Sequence, residues 1–136
     1  MRAGADAVAS LTVIILAHNE ARHIARAIAS VAGVAQRIVV VDSGSDDGTR
    51  DIATAHGADV LQNPWINYAT QFNWAIDHAA AATDWIMRLD ADEIVTPELA
   101  ATLAGLDAQT ATGLTVNRQI HFLGRWIRWG GIYPVR

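Results

Sequence analysis

The sequence predicts an α/β fold in which helices cover both faces of a mainly parallel sheet. Three observations favour this class: short continuous apolar segments rich in Val and Ile, amphipathic segments between them, and polar residues directly after the apolar ones. Continuous apolar runs are typical of strands buried on both faces. Strands that alternate with helices along a chain form parallel sheets. A chain of 136 residues is expected to fold as one domain of this kind.

Four segments are predicted to be strands. "LTVIILA" and "RIVVVD" are continuous apolar runs dominated by β-branched residues, "ADVLQ" is a shorter run, and "DWIMRLD" is the fourth. In chain order, these strands span residues 11–17, 37–42, 58–62 and 84–90.

Helices are predicted after each strand, because apolar residues recur there at helical spacing. The second is short and ends near His56-Gly57, the third spans 67–82 and the fourth spans 96–106. The residues expected to face the sheet are Ile24, Ile28 and Val31 of the first helix, and Phe72, Ile76 and Ala79 or Ala80 of the third. The expected caps are Asn19 for the first helix, Asp46 or Asp47 for the second, and Thr96, followed by Pro97, for the fourth.

The last segment of the chain is less regular. "GLTVNRQIHFLG" (113–124) has a strand-like pattern, and "RWIRWGGIYPVR" is aromatic and irregular. Phe122, Trp126 and Trp129 alternate here with Arg125 and Arg128. Three interpretations stay open: a chain end that packs on the sheet, a wall of an acceptor site, or an interfacial contact with a membrane.

Composition excludes several classes of protein. The absence of cysteine excludes disulfides, thiolate metal sites and Cys nucleophiles. A net charge of -4 argues against a general nucleic-acid binder. "MRAGADAVAS" has no signal-peptide core, and "LTVIILA" is too short to cross a bilayer. We therefore expect a cytoplasmic location, with peripheral contact at the inner face of the membrane left open.

Polar residues follow three of the predicted strands. Asn19 and Glu20 follow the first, Asp42 ends the second, and Asp90 and Asp92 follow the fourth. Parallel sheets bind ligands beyond the carboxyl ends of their strands, where the strand order reverses. If strands one and four are neighbours, these residues meet at one edge.

The D-A-D sequence at 90–92 is a candidate metal site. Asp90 and Asp92 lie one residue apart at a strand end, so both can reach a divalent cation, directly or through water. Mg²⁺ and Mn²⁺ prefer oxygen ligands and keep waters and substrate phosphates in their shell. Glu93 adds negative charge. The alternative is a solvated acidic turn.

The sequence "VVVDSGSDDGT" offers a second acidic strand end. It lacks the G-x-G-x-x-G pattern of dinucleotide folds and the Lys of a P-loop. Asp42 could instead accept a hydrogen bond from a nucleobase N–H or a sugar hydroxyl. Structural roles are expected for Asp46, Asp47 and Gly48.

Five segments in series resemble one known family. "LTVIILAHNE", "IVVVDSGSDDGT", "FNWAIDHA", "WIMRLDADE" and "FLGRWIRWGGIYP" are similar to the motifs of family 2 glycosyltransferases with the GT-A, Rossmann-like fold. The resemblance covers residues 11–136 and is nearest to bacterial enzymes that build lipopolysaccharide core or other surface glycans. It implies a nucleotide-sugar donor and Mg²⁺ or Mn²⁺ as the cofactor.

The resemblance also implies residue roles. Asp42 matches the aspartate that contacts the donor base, and Asn19 and Glu20 match residues at the nucleotide pocket. Asp92 matches the direct metal ligand of the D-x-D motif, and Asp90 the residue that binds ribose or metal-bound water. Ala17-His18 departs from the common Thr-Tyr pair.

The resemblance predicts a chain truncated after its donor-binding half, with a fold incomplete at its C-terminus. Family members continue past the equivalent of "GGIYPVR", where the catalytic base lies, and residues 117–136 contain no Asp or Glu. The catalytic residue is therefore unassigned and turnover is left open. The predicted divisions are a flexible N-terminus (1–10), a nucleotide-sugar-binding α/β domain (11–112) and the start of the acceptor-side region (113–136).

Two hypotheses of function follow. The first is inverting transfer from a nucleotide-diphosphate sugar, a UDP-sugar foremost, to lipopolysaccharide core, another surface glycan or a lipid-linked acceptor. The second is a non-catalytic nucleotide-binding or assembly module that self-associates as a homo-oligomer. The sequence specifies neither the sugar, the base nor the acceptor.

Overall fold

The computed structural model describes residues 8–79, 82–109 and 111–131. Within them, a four-stranded sheet has the order β3-β2-β1-β4, and every neighbouring pair is parallel. The strands are β1 (Leu11–Ala17), β2 (Arg37–Asp42), β3 (Asp59–Gln62) and β4 (Trp85–Asp90). The predicted α/β class is confirmed. Strands one and four are neighbours, which is the condition under which the sequence places the polar residues at one edge.

Four helices and a small hairpin complete the described chain. The helices are α1 (Ile24–Val31), α2 (Thr49–Ala55), α3 (Tyr68–Ala79) and α4 (Pro97–Ala104). The hairpin pairs β5 (His121–Phe122) with β6 (Arg125–Trp126) in antiparallel fashion. The strand-like pattern of 113–124 is therefore realised only at its end. None of the helices in the described ranges is long and apolar enough to cross a bilayer.

The sheet separates two apolar cores because side chains alternate between its faces. On one face, Val13 and Ile15 of β1 pack with the buried residues of α1, including Ile24 and Ile28 as predicted. On the other face, Ile14 packs with Val39 and Val41 of β2 and with Ala75 and Ala79 of α3. Helices thus cover both faces, as the sequence predicts.

The buried face of α3 agrees with the prediction only in part. Ala79 is buried as predicted, and Phe72 is partly buried against the same core. Ile76 is exposed, and Gln71 and Ala75 are buried instead. The Gln71 amide explains why α3 turns this side chain toward the sheet. Its Oε1 accepts from Asn63 Nδ2 at 2.8 Å, and its Nε2 donates to the Asn63 carbonyl at 3.1 Å. These bonds satisfy a buried amide, and the two alanines allow a close approach to the sheet. The alternative inward residue, Ala80, lies outside the described residues.

The predicted cap of α1 is wrong. This helix begins at Ile24, and its N-cap, His23, makes no side-chain capping bond. Asn19 has a positive φ of 52°, and its side-chain oxygen accepts from the backbone N–H of Asp46 at 3.0 Å. Asn19 is therefore used to join two loops rather than to begin a helix.

The other caps follow the prediction more closely. Asp47 Oδ1 accepts from the N–H of Thr49 in the first turn of α2 at 3.1 Å, although Gly48 is the N-cap residue. Thr96 caps α4 by accepting from the N–H of Leu99 at 3.2 Å. Short polar side chains at helix starts accept such orphan N–H groups.

The start of the described chain is fastened to the sheet. The N–H and the hydroxyl of Ser10 both donate to Asp84 Oδ2 at 2.8 Å, and the N–H of Asp84 donates to Ser10 Oγ at 2.9 Å. These bonds lower the pKa of Asp84, chiefly through the Ser10 backbone N–H. The predicted flexible segment 1–10 lies outside the described residues up to position 7.

Candidate functional site

The carboxyl-terminal edge of the sheet collects the polar residues that the sequence singles out. In the strand registers, Ala17 at the end of β1 pairs with Asp42 of β2, and Leu16 pairs with Asp90 of β4. Two strand spacings separate the backbones of Asp42 and Asp90, which is about 10 Å. The strand order reverses at β1, which is where parallel sheets bind ligands.

The two aspartates lie at one edge but belong to opposite faces of the sheet. Leu16, the partner of Asp90, packs with the core under α3, whereas Val40, two residues before Asp42, packs with the core under α1. Because side chains alternate along a strand, a register offset of one residue decides the face. Within the described ranges, no three His, Asp or Glu residues are grouped so that they could hold a metal ion.

Asp42 is fully buried, and its carboxylate orders the turn that follows β2. Its Oδ2 accepts from the N–H groups of Gly44 at 3.0 Å and Ser45 at 2.9 Å, while its Oδ1 accepts from the Ser45 hydroxyl. Arg50 Nη1 lies 3.5 Å from Oδ2 and supplies a countercharge. These contacts compensate for the burial of a carboxylate. A ligand contact by Asp42 therefore depends on the acceptor capacity that remains on Oδ1.

The loops after β1 and β2 are bonded to each other. The N–H of Asn19 donates to Ser45 Oγ at 2.8 Å, and the N–H of Glu20 donates to Thr49 Oγ1 at 2.9 Å. Asp47 Oδ2 accepts from the backbone N–H of Ala21 at 3.0 Å. These bonds hold the two loops together through the backbone of residues 19–21, so the Glu20 side chain is not used in them. It lines the cleft described below.

The acidic turn at the end of β4 contains three carboxylates, and two of them have partners in the described part of the chain. Asp90 Oδ1 lies 3.6 Å from Arg88 Nε, and Glu93 Oε1 lies 3.1 Å from Arg118 Nε. Glu93 Oε2 also accepts from the N–H of Asp90 at 3.1 Å, so Glu93 closes the turn. Asp92 is exposed and makes no side-chain hydrogen bond or ion pair with any residue that the structure describes.

This donor set fits a small divalent cation that keeps most of its shell. Mg²⁺ is usually held by one or two carboxylates together with waters and substrate phosphates, rather than by an all-protein cage. The free carboxylate of Asp92, with Asp90 two residues away, matches the first arrangement. A site of this kind binds a metal together with a phosphate-bearing ligand.

An open cleft of about 360 Å³ lies on the α3 face of the same edge. Leu16 and Val41 line it on the sheet side, and Trp65 and Tyr68 line it from the start of α3. The two aromatic rings meet edge to face with centroids 4.8 Å apart and remain 46% and 62% exposed, respectively. The remaining lining residues are Ala17, His18, Glu20, Ser43 and Gln71. Its volume lies in the range of small-molecule sites, and Leu16 links it to Asp90 through the strand register.

The aromatic pair is a site feature that the sequence analysis missed. Both occur in "NPWINY", where Trp65 lies between β3 and α3 and Tyr68 is the first residue of α3. A connection that follows a parallel strand begins at the carboxyl edge of the sheet, so aromatic residues there are candidates for ligand contact. Their spacing of three residues is the signal that could have identified them.

Comparison with known proteins decides the family. A family model described as "Glycosyl transferase family 2" matches residues 12–133. The chain belongs to glycosyl transferase family 2. An uncharacterized glycosyltransferase of Rickettsia felis is 42% identical over 89 residues, which are 65% of this chain and 31% of that protein. The lipopolysaccharide core biosynthesis glycosyltransferase LpsC of Rhizobium meliloti is 31% identical over 121 residues, which are 84% of this chain and 44% of LpsC.

Solved structures confirm the GT-A, Rossmann-like fold. Mannosyl-3-phosphoglycerate synthase of Rubrobacter xylanophilus matches with a TM-score of 0.58 and 21% identity, over 66% of this chain and 33% of that one. Glucosyl-3-phosphoglycerate synthase of Mycobacterium tuberculosis, solved with Mn²⁺ and UDP-glucose, matches with a TM-score of 0.53 and 28% identity, over 63% and 34%. The chain thus spans about a third of the length of these two proteins.

Proposed function

We propose that this family 2 chain binds a nucleotide-diphosphate sugar with a divalent cation and serves inverting glycosyl transfer. The observation that carries the proposal is an aromatic cleft at the edge where the strand order reverses. Its lining residue Leu16 is the register partner of Asp90, which lies two residues before Asp92. A nucleotide sugar has a planar base for the cleft and a diphosphate for the metal. We assign the base to the Trp65–Tyr68 wall and the diphosphate to the side of Asp90 and Asp92.

Each candidate residue has a role within this proposal. Asp92 supplies the carboxylate that would hold the cation, and Asp90 accepts from ribose or metal-bound water. Asn19 and Asp42 hold the loops that border the nucleoside, and Glu20 contributes a carboxylate to the cleft. When bound, the divalent ion supplies stabilisation of the negative charge that develops on the leaving diphosphate.

The transfer step needs a base for the acceptor. A carboxylate removes the proton of the acceptor hydroxyl, whose oxygen attacks the anomeric carbon while the bond to the diphosphate breaks. Residues 117–136 contain no Asp or Glu, and we assign no catalytic base to this chain.

The similar proteins support the finer parts of the proposal. The synthase structure with Mn²⁺ and UDP-glucose favours a UDP-sugar and a divalent metal, Mg²⁺ or Mn²⁺. LpsC and the succinoglycan biosynthesis protein ExoA, both of Rhizobium meliloti, favour lipopolysaccharide core or another surface glycan as the acceptor. A lipid-linked form of that glycan is included in the proposal.

Calorimetric titration of UDP in the presence of Mn²⁺ tests the donor site. We expect Asp92→Asn to weaken UDP binding by at least about tenfold. Loss of a residue that only supports a metal ligand already lowers metal affinity by about that factor, and Asp92 is proposed as a ligand itself. The matched control is Asp77→Asn on the exposed side of α3, which should bind as wild type does. Absence of binding by the wild-type chain, or unchanged binding by Asp92→Asn, would refute the assignment.

One observation favours the second candidate, a non-catalytic assembly module. Among the described residues, β4 pairs only with β1, so its outer edge presents backbone groups that another strand can bind. Sedimentation at several concentrations, together with a donor-hydrolysis assay, separates the candidates. Self-association with UDP binding but without transfer or hydrolysis would favour the module, whereas transfer to a glycan acceptor would favour the enzyme.

A further inference from the structure

The β5–β6 hairpin and the residues just after it expose large apolar side chains beside arginines. Phe122, Leu123 and Trp129 are 67%, 87% and 85% exposed, respectively. Arg125 and Arg128 are exposed within the same eight residues. These five residues are called the hairpin surface below. Trp and Phe side chains that remain this exposed next to cations are typical of surfaces that lie in a membrane interface.

The geometry of the hairpin holds this surface outward. Leu123 and Gly124 occupy the turn with φ values of 49° and 76°, so both have the left-handed conformation of a type I′ hairpin turn. Phe122 lies directly across from Arg125, and paired residues on antiparallel strands share one face. An apolar ring and a guanidinium are therefore neighbours on one face, with Leu123 at the tip.

A second cation–aromatic contact follows the hairpin. The guanidinium carbon of Arg128 lies 3.9 Å from the centroid of the Trp126 ring. This contact keeps the positive charge of Arg128 over an aromatic ring, and the exposed Trp129 follows it in sequence. Arginine with an aromatic neighbour can meet a phosphate while its stem contacts acyl chains.

Charge is distributed unevenly along the chain. Four of its ten basic residues, and none of its 14 acidic ones, fall in residues 117–136. The chain as a whole has a net charge of -4. Of these four arginines, Arg118 is paired with Glu93, whereas Arg125 and Arg128 are exposed on the hairpin surface. The partner that complements these two cations is anionic.

We propose that the hairpin surface docks on anionic lipid bilayers. Phe122, Leu123 and Trp129 enter the boundary between headgroups and acyl chains, while Arg125 and Arg128 contact lipid phosphates. This is an interfacial contact and needs no membrane-spanning segment. The docking does not depend on the proposed function.

Docking would also orient the candidate site. Arg118, three residues before β5, bonds to Glu93 at 3.1 Å, and Glu93 closes the turn that carries Asp90 and Asp92. This ion pair links the hairpin to the acidic turn. A chain held at the bilayer by its hairpin would present this turn close to the membrane surface, where a lipid-linked acceptor resides.

Vesicle flotation of the 136-residue chain tests the docking. The probes are vesicles of phosphatidylcholine alone and of phosphatidylcholine with phosphatidylglycerol. We expect binding to the anionic vesicles, weakened by added salt, and little binding to the neutral ones. Arg125→Gln should lower the partition coefficient about fivefold, because each arginine near an anionic surface contributes about that factor. The double variant Phe122→Ser, Leu123→Ser should lower it by about tenfold or more.

Matched controls distinguish docking from general charge attraction and from misfolding. Arg22→Gln removes an equal charge from an exposed position before α1 and should leave the partition coefficient unchanged. The double tip variant should keep its circular dichroism spectrum and its affinity for UDP with Mn²⁺, so failure of the docking and failure of the donor site are separate results. Fluorescence of Trp129, isolated by difference with Trp129→Phe, should shift to the blue on anionic vesicles.

Three results would overturn the proposal. One is an absence of binding to anionic vesicles at low salt. Another is equal loss for Arg22→Gln and Arg125→Gln. The third is a tip variant that partitions as the wild type does but loses binding to a soluble lipopolysaccharide-core oligosaccharide, which would identify the hairpin surface as an acceptor wall.

Discussion

Replacement of Asp42 tests whether its main role is to hold the turn after β2. Asp42→Ala removes the acceptor for the N–H groups of Gly44 and Ser45 and for the Ser45 hydroxyl. Asp42 and Ser45 are buried, whereas Gly44 is exposed. Each buried donor left without a partner costs about 1 to 3 kcal/mol, and breaking a buried charge pair costs about 3 to 5 kcal/mol. Because Arg50 is partly exposed and lies 3.5 Å from Asp42, breaking this ion pair adds little to the cost. We therefore expect a loss of about 3 kcal/mol in the free energy of unfolding.

Urea unfolding followed by circular dichroism measures this loss. The matched control is Asp46→Ala, which removes an exposed carboxylate from the same turn and should cost less than about 0.5 kcal/mol, as surface substitutions usually do. Asp42→Asn should fall between them, because the amide keeps one acceptor oxygen. If Asp42→Ala unfolds at the same urea concentration as the wild type but fails to bind UDP, Asp42 is a ligand contact and the structural role is refuted.

Two further predictions concern the aromatic cleft and the Ser10–Asp84 hydrogen bonds. Trp65→Ala should weaken UDP binding by about 1 to 3 kcal/mol without loss of stability, because base stacking on an aromatic ring is worth that amount; calorimetry that finds equal losses for Trp65→Ala and Trp129→Ala would exclude stacking in the cleft. The Ser10 bonds hold the pKa of Asp84 below its ordinary value of 3.8, so they stabilise the fold above that pH, and the stabilisation is lost as pH falls through the lowered pKa. In urea unfolding at several acidic pH values, the free energy of unfolding should therefore fall less steeply with decreasing pH for Asp84→Asn than for wild type. The same pH dependence in both proteins would contradict a stabilising role of the Ser10–Asp84 bonds.

The strands and their edge could be predicted because their physical signals are local. "LTVIILA" and "RIVVVD" are continuous β-branched runs, and only a parallel sheet covered on both faces buries them. Once β1 and β4 are neighbours, Asp90 and Asp42 must lie at the same edge. Family motifs in series then indicated the fold, which the solved structures confirm.

Features that depend on register and on tertiary hydrogen bonds could not be read from the pattern. Asp42 pairs with Ala17 of β1 and Asp90 pairs with Leu16, and this difference of one residue in register places the two aspartates on opposite faces of the sheet. Nothing in the local sequence encodes this register. The buried face of α3 follows the Gln71–Asn63 bonds rather than apolar periodicity. Asn19 looked like a helix cap because that residue type is favoured there. The bond from Asp46 to Asn19 places the residue in a loop instead.

In the proposed site, Asp92 holds a divalent cation jointly with the diphosphate of the ligand. Since no three acidic or His side chains are grouped for a metal in the described ranges, the protein alone should bind Mn²⁺ weakly. Electron paramagnetic resonance of free Mn²⁺, measured with and without UDP, tests this coupling directly. We predict that UDP, but not uridine, tightens Mn²⁺ binding by at least about fivefold, as expected for coupled sites, and that Asp92→Asn abolishes the effect. Mn²⁺ affinity that is the same with and without UDP, or that survives Asp92→Asn, would contradict the claim.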